Sequence, residues 1–367
     1  MSGRPGKTRV AVVFGGRSPE HAISCVSAGS ILGAIDREAY DVLAVGIARD
    51  GRWLLLPDDP EALQIRGREL PEVTAGQTVA LSNDPAERGL RVFDGAAAGV
   101  SELSEVDVVF PVLHGEQGED GTIQGLFEIV GLPYVGAGVF ASAAAMDKEF
   151  TKKLLAAAGL PVGAYLVLRP GDRVELDDDQ TARITLPAFV KPARAGSSIG
   201  ITKISDWSEL SDAVATARAV DSKVLIEAGV AGREIECGIL AEAAAPGELV
   251  EVRASVPAEI RVLHGHDWYD FEAKYLDDAC EFDVPADLPD ETIAEIQDLA
   301  VRAFRALEGR GLARVDFLVT ESGAVVINEV NTMPGFTPIS MYRRMWEASG
   351  VPYAELIDRL IRSALAD

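Results

Sequence analysis

Gly311-Leu-Ala-Arg-Val-Asp-Phe-Leu-Val-Thr320, continued by Glu321-Ser-Gly-Ala-Val-Val-Ile-Asn-Glu-Val-Asn-Thr-Met-Pro-Gly-Phe336, is the stretch that decides the fold. Side chains alternate along a strand, so Val315, Phe317 and Val319 point one way while Arg314, Asp316 and Leu318 point the other. Ser322-Gly323 turns the chain into a returning strand, in which Glu329 and Asn331 stand two apart and project together. Pairing of the hairpin then gathers Asp316, Glu329 and Asn331 into one cluster of oxygens. Such hard ligands suit magnesium, which keeps some waters and is completed by substrate phosphates. A solvated acidic hairpin edge has the same spacing. Against that reading stand Arg314 among the carboxylates and the apolar flanks Val326-Ile327 and Met333-Pro334-Gly335-Phe336, which read as interior.

A chain of 367 residues has room for two or three domains with ample core. Its net charge of -24 argues against nucleic acid or an anionic membrane as main partner, because phosphate binding needs basic clusters. A bound polyphosphate must therefore meet a local basic exception, which screening over ~8 Å permits. Cys25, Cys237 and Cys280 are odd in number, widely spaced and without a CxxC, so neither a disulfide framework nor a zinc site is indicated. A reducing, cytoplasmic setting fits. Val10 to Phe14 is too short for a signal-peptide core, and no later run is long enough to span a bilayer.

Val10-Ala-Val-Val-Phe14 reads as a strand buried on both faces, and Gly15-Gly16-Arg17-Ser18 leads into a helix with Ser18 as N-cap, Pro19 first and Glu20 in the first turn. This strand, glycine turn and helix is a usual start of a parallel α/β sheet. Asp41 to Ile47 is the next strand, and Asp50-Gly51 a tight turn into Trp53 to Leu56. Residues 57–104 give mixed short signals. Val106 to Leu113 is another strand, ending at His114, and a helix runs from Thr122 to about Val130. A histidine there is structural or, at a strand's carboxyl end in such a sheet, ligand-binding. Val139 to Ala158 reads as one helix, Asp172 to Gln180 as a solvated loop, and Ala164 to Leu168 and Ala188 to Pro192 as strands.

Ala193-Arg-Ala-Gly196-Ser197-Ser198-Ile-Gly200 is a small-residue hairpin, either a phosphate cradle fed by Lys191 or a flexible turn. Asp290 opens a long amphipathic helix with Ile293, Ile296, Leu299, Ala303 and Leu307 on its buried stripe. The aromatic, charged run Asp267 to Tyr275 reads as a closing loop or a surface strand.

Gly15-Gly-Arg-Ser-Pro-Glu-His21, His114-Gly with Gly118-Glu-Asp-Gly121, Lys191-Pro192 with Gly196-Ser-Ser198, Phe271-Glu-Ala-Lys-Tyr275, Arg314-Val-Asp316 and Asn328-Glu-Val-Asn-Thr-Met-Pro-Gly335 occur in this order. Together they resemble the D-alanine:D-alanine ligases of the ATP-grasp superfamily over essentially the whole chain. The resemblance implies an ATP-grasp fold of α/β and α+β type. Residues 1–137 would form an amino-terminal Rossmann-like α/β domain, 138–231 a central subdomain and 232–367 a carboxyl-terminal one. It also implies a cytoplasmic homodimer that joins two D-alanines for the peptidoglycan precursor. ATP and two magnesium ions would serve it, with manganese as substitute and potassium as candidate activator.

By the same resemblance, Lys148 and Lys191 hold ATP phosphates, Ser197 and Ser198 lie in the phosphate lid, Glu227 is on the ribose or adenine side, and Glu234 is a second ribose contact. Asp316, Glu329 and Asn331 resemble the magnesium ligands. Glu20 is similar to the carboxylate that holds the first D-alanine's ammonium, with Ser197, Tyr275 and His114 around it. Arg314 and the Gly335 N–H correspond to the oxyanion donors. Lys274, Ser340 and Met341 match positions near the second D-alanine's carboxylate. Tyr275 favours an amine over D-lactate as second substrate. The rivals are a nucleotide-dependent dehydrogenase, which lacks its GxGxxG, a regulatory ATP binder, and a ligase for D-serine or D-lactate.

Overall fold

In a computed structural model of the chain, the described residues are 6–84, 87–93, 100–196, 198–242, 250–262 and 280–366. The first sheet comprises β1 (Thr8–Gly15), β2 (Tyr40–Ile47), β3 (Trp53–Leu56), β4 (Gln77–Leu81), β5 (Gly89–Phe93), β6 (Val100–Glu105) and β7 (Val108–Val112), in spatial order β6-β5-β4-β3-β2-β1-β7. Only β2-β1-β7 is parallel. The Asp50-Gly51 turn is too short for a crossover, so β3 folds back antiparallel on β2, and the next three strands also pair antiparallel. The expected parallel sheet is thus a mixed one, and residues 57–104 widen it.

Helix α1 (His21–Ala34) begins later than expected. Ser18 does not cap it. Its Oγ accepts from Glu20 N at 3.0 Å and its carbonyl from His21 N at 3.2 Å, a local serine turn that precedes the helix. Glu20 occupies the N-cap position without a side-chain capping bond, and its carboxylate lines a cavity instead.

After α2 (Thr122–Val130), the single helix expected over 139–158 is two: α3 (Val139–Met146) and α4 (Lys148–Ala157). Asp147 separates them with extended backbone (φ -95°, ψ 102°), its side chain accepting from Glu149 N at 3.1 Å. Aspartate is a better N-cap than helix interior, and Lys223 fixes the break by pairing with both Asp147 and Glu149. The second sheet has β8 (Tyr165–Leu168), β9 (Ala188–Pro192), β10 (Thr202–Ile204) and β11 (Val224–Ala228) in antiparallel order β10-β9-β11-β8. The acidic run is not wholly loop: α5 (Asp178–Arg183) starts at a capping box made by Asp177 and Gln180. Helix α6 (Leu210–Arg218) follows β10.

The third sheet holds β12 (Arg233–Glu242), β13 (Glu251–Ala254), β14 (Ala258–Val262) and β15 (Cys280–Asp283), with β16 (Leu312–Val319) and β17 (Val325–Asn331) after α7 (Asp290–Ala306). Ile296, Leu299, Ala303 and Leu307 of the predicted stripe are buried; Ile293 at the helix's open end is half-buried. In the hairpin, Arg314 faces Asn331 and Asp316 faces Glu329, but Phe317 faces Ile327, so Asn328 is an extra, bulged residue. A regular pleat continuing from buried Val325 and Ile327 would turn Glu329 into the core. The bulge shifts the alternation by one, burying Val330 and keeping Glu329 and Asn331 on the face of Arg314 and Asp316.

Helices α8 (Met341–Ala348) and α9 (Tyr353–Ala366) tie the third sheet to the first. Phe336, fully buried, meets Phe110 of β7 edge-on at 5.7 Å and Tyr342 of α8 at 5.8 Å, and its N–H donates to Ser27 of α1 at 3.2 Å. Tyr40 donates to Asp358 at 2.6 Å across the same junction. Phe336→Ala is expected to destabilise the protein by ~3–5 kcal/mol, read from denaturant unfolding. A loss below about 1 kcal/mol would show that the junction does not depend on this ring.

Candidate functional site

Two cavities adjoin where the sheets meet. The smaller, about 130 Å³, is lined by Glu20, His114 and Glu119 from the first layer and by Arg314, Gly335 and Ser340 from the third, with Asn331 and Met341 also on its wall. The larger, about 340 Å³, lies between the second and third sheets and is lined by Lys152, Lys191, Ser198, Glu227, Glu234 and Asp316. Lys148, Gly196, Glu236, Arg314 and Glu329 line both, and so form the seam. Every candidate from the sequence that falls on described residues reaches one of these cavities. Ser197, Lys274 and Tyr275, with the whole run 267–275, lie outside the described residues.

The larger cavity supplies the basic exception that the acidic chain requires. Helix α4 sets Lys148 and Lys152 one turn apart, and β9 adds Lys191. Lys152 was not singled out from the sequence, although its i,i+4 spacing from Lys148 was a usable signal. Glu227 of β11 holds both neighbours: Lys152 Nζ lies 3.0 Å from one carboxylate oxygen and Lys191 Nζ pairs with the other. Burial alone would raise the Glu227 pKa, but the two ammonium groups outweigh it and hold the carboxyl below its usual range. Its acid thus sets the two lysines while also lining the cavity. Burial pushes Lys148 and Lys152 below the ordinary lysine value, so their charged forms gain from an anion placed beside them.

Lys148 also anchors the glycine-serine loop that joins β9 to β10. Its Nζ donates to Ala195 O at 2.7 Å and its backbone N to Ala193 O at 3.0 Å. The next residue, Gly196, packs so closely that a Cβ there would lie 3.2 Å from a Glu20 oxygen, and one at Gly115 would lie 3.0 Å from the same atom. Gly115 also has φ +75°, so glycine is required there twice over.

His114 is buried; burial lowers its pKa, and its Nε2 has no hydrogen-bond partner among the described residues. The ring is neutral and presents an unpaired polar atom at the cavity. Glu119, also missed from sequence as a site residue, accepts from Gly115 N at 2.5 Å. Burial first, then the charge of Glu20, pushes its pKa up to about 8.

Arg314 donates through Nε and Nη2 to the two Asp316 oxygens at 2.7 and 2.6 Å, and its Nε lies 3.2 Å from Glu236. Burial alone would lower its pKa, but Asp316 and Glu236 raise it well above the ordinary value. At Gly335 a Cβ would fall 2.8 Å from Ser340 Oγ, so no side chain is tolerated without displacing that hydroxyl. Among the described residues no three His, Cys, Asp or Glu side chains gather as a metal cluster. The donor set is instead two carboxylates, Asp316 and Glu329, paired across β16 and β17, with the Asn331 amide, whose Oδ1 accepts from Met333 N at 3.0 Å. Three oxygens on one face suit a hard cation that takes its remaining ligands from water and phosphate.

Two antiparallel α+β layers closing on a lysine-lined cleft, behind a Rossmann-like layer, define an ATP-grasp protein. Residues 9–137 match the family D-ala D-ala ligase N-terminus, and residues 154–362 match D-ala D-ala ligase C-terminus. The chain belongs to the D-alanine–D-alanine ligase family and is an enzyme of the ligase class. It is 59% identical over 367 residues to a D-alanine–D-alanine ligase of Rhodococcus opacus (strain B4), covering 98% of this chain and 97% of that protein. With one of Mycobacterium sp. (strain KMS) it shares 58% over 372 residues, covering 100% and 98%. Among solved structures, the D-alanine-D-alanine ligase from Coxiella burnetii superposes with TM-score 0.82 at 34% identity, covering 98% of this chain and 94% of that one. The VanG D-Ala:D-Ser ligase from Enterococcus faecalis gives 0.83 at 33%, covering 98% and 100%.

Glu119 yields a pH test. A carboxyl whose folded pKa stands at about 8 against 4.5 unfolded binds its proton more tightly when folded. Its contribution is complete below pH 4.5 and is lost as pH rises towards 8. Glu119→Gln keeps an acceptor for Gly115 N but cannot ionise. Its melting temperature is therefore expected to fall less than the parent's between pH 5 and about 8, measured by thermal unfolding across that range. Parallel pH profiles for the two proteins would show that Glu119 ionises normally.

Proposed function

We propose that this enzyme joins two D-alanine molecules to D-alanyl-D-alanine, converting ATP to ADP and phosphate through an acyl phosphate, for peptidoglycan precursor synthesis. The observation that carries this reading is the seam. Lys148, Arg314 and Glu329 line both the lysine cavity and the carboxylate cavity, so a terminal phosphoryl group and an amino-acid carboxylate can meet there. The names of the relatives at 59% and 58% identity support D-alanine as second substrate, whereas the D-serine ligase is 33% identical.

In this mechanism Lys148, Lys152 and Lys191 grip the phosphates, with Glu227 keeping the last two in place. Ser197 and Ser198 cover the phosphates, and Glu234 takes the ribose. Magnesium bound at Asp316, Glu329 and Asn331 would supply neutralisation of charge on the transferring phosphoryl group. Glu20 holds the first D-alanine's ammonium beside His114, and Tyr275 completes that subsite. A second D-alanine, its carboxylate near Lys274, Ser340 and Met341, attacks the acyl phosphate through its amine. Arg314 and the Gly335 N–H receive the resulting oxyanion. Water would hydrolyse the intermediate, which gives the covering loops a physical reason to close during turnover.

We further assign residues 1–137 to the first D-alanine, 138–231 to phosphate covering and 232–367 to the metal and second D-alanine, in a cytoplasmic homodimer. Purified protein should release phosphate from ATP only with both magnesium and D-alanine present, with D-alanyl-D-alanine detected by mass. Turnover with L-alanine and none with D-alanine would refute the reading. Glu329→Gln should abolish turnover with an unchanged circular dichroism spectrum; an unfolded spectrum would instead make Glu329 a structural residue.

A further inference from the structure

Three carboxylates stand in a row across neighbouring strands: Glu236 of β12 opposite Asp316 of β16, and Asp316 opposite Glu329 of β17. Asp316 is in the middle. On one side it shares Arg314 with Glu236; on the other it faces Glu329, its partner in the donor set described above. Both Asp316 oxygens are committed to Arg314, at 2.7 and 2.6 Å. A divalent cation that takes an Asp316 oxygen at about 2.1 Å also repels the guanidinium and draws on the same carboxylate charge, so the two-point pair is weakened once the cation arrives. The guanidinium is mostly withdrawn from solvent, its side chain 16% exposed, and gains from a carboxylate in whichever state it occupies. Glu236 is itself buried, lines both cavities and already lies 3.2 Å from Arg314 Nε.

We propose that Glu236 is a positioning residue that receives Arg314 when Asp316 turns to the metal, holding the guanidinium in the seam between the two cavities. This rests on the magnesium site of the preceding section. Without Glu236, metal entry would strip Arg314 of its carboxylate, and the cation would have to overcome that cost as well. Glu236 thus gives the guanidinium a defined place when the metal binds, where the Arg314–Asp316 pair alone would only release it.

The test is a magnesium titration at saturating ADP, read as the rise in melting temperature, which needs no turnover. Glu236→Gln is expected to raise the magnesium concentration for half-maximal stabilisation by about tenfold, the scale of one hydrogen bond to a charged group. Glu236→Asp is expected to recover part of it, and carries the test should the glutamine variant fail to fold. In an Arg314→Ala background the Glu236→Gln shift should vanish, because the effect passes through the guanidinium. An unchanged midpoint in the single variant, or a shift of equal size in the Arg314→Ala background, overturns the proposal, the latter reducing Glu236 to a general negative charge. No magnesium-dependent stabilisation in the parent protein would overturn the magnesium site itself and this proposal with it.

Discussion

A cation taken out of water needs a partner for its charge, and that constraint shapes the whole cleft. Desolvation costs several kcal/mol per ion, so a buried lysine or arginine is held by a well-placed acid or, as with Lys148, by a carbonyl oxygen. Lys152 and Lys191 survive on Glu227, Arg314 on Asp316 and Glu236, and Lys223 on Asp147 and Glu149. In a chain of net charge -24, this is how a basic surface is kept at one place without being neutralised from every side. The pairs also fix geometry. Glu227 bridges a helix and a strand, while Lys223 joins the second sheet to the break between α3 and α4.

That break explains why the lysines point where they do. Had residues 139–158 formed one helix, Lys148 would follow the rotation of α3; instead Asp147 restarts the chain, and Lys148 and Lys152 descend one face of α4 into the cleft. The sequence did contain the cause, Asp147 followed by Lys148 and Glu149, but the apolar periodicity on both sides reads through it. Similar competition hid α5, whose capping box lies inside an acidic run that composition alone assigns to loop.

The hairpin was the most legible part, because period-two alternation leaves few choices, yet the alternation by itself gives the wrong face for Glu329. Val325 and Ile327 are in phase with Glu329, not against it. The phase change is written in the sequence as Ile327 and Val330, both buried and three apart, a spacing that no regular strand can bury on one side. Placement of Glu20, His114 and Gly335 in one cavity was legible only through the family resemblance, since they are brought together by Phe336 wedged between β7 and α8. Glu119 sits in the Gly118-Glu-Asp-Gly121 motif and Glu236 stands two from Glu234, but neither spacing assigns a role, since the position of each matters only after separate layers pack over it.

The two cavities are joined mechanically as well as by shared lining. Lys148 holds Ala195 O, the adjacent Gly196 lies against the Glu20 carboxylate, and Glu20 lies against Gly115 at the end of the first sheet. A phosphate can share Lys148 Nζ with Ala195 O, because the ammonium has three donors, and any movement of that carbonyl is passed within one residue to the wall of the amino-acid cavity. The glycines are what make the linkage short, since a Cβ at either position would push the loop off Glu20. In the proposed reaction this gives nucleotide occupancy a direct route to the shape of the first D-alanine subsite, through one lysine and one peptide unit rather than through a rearrangement of domains.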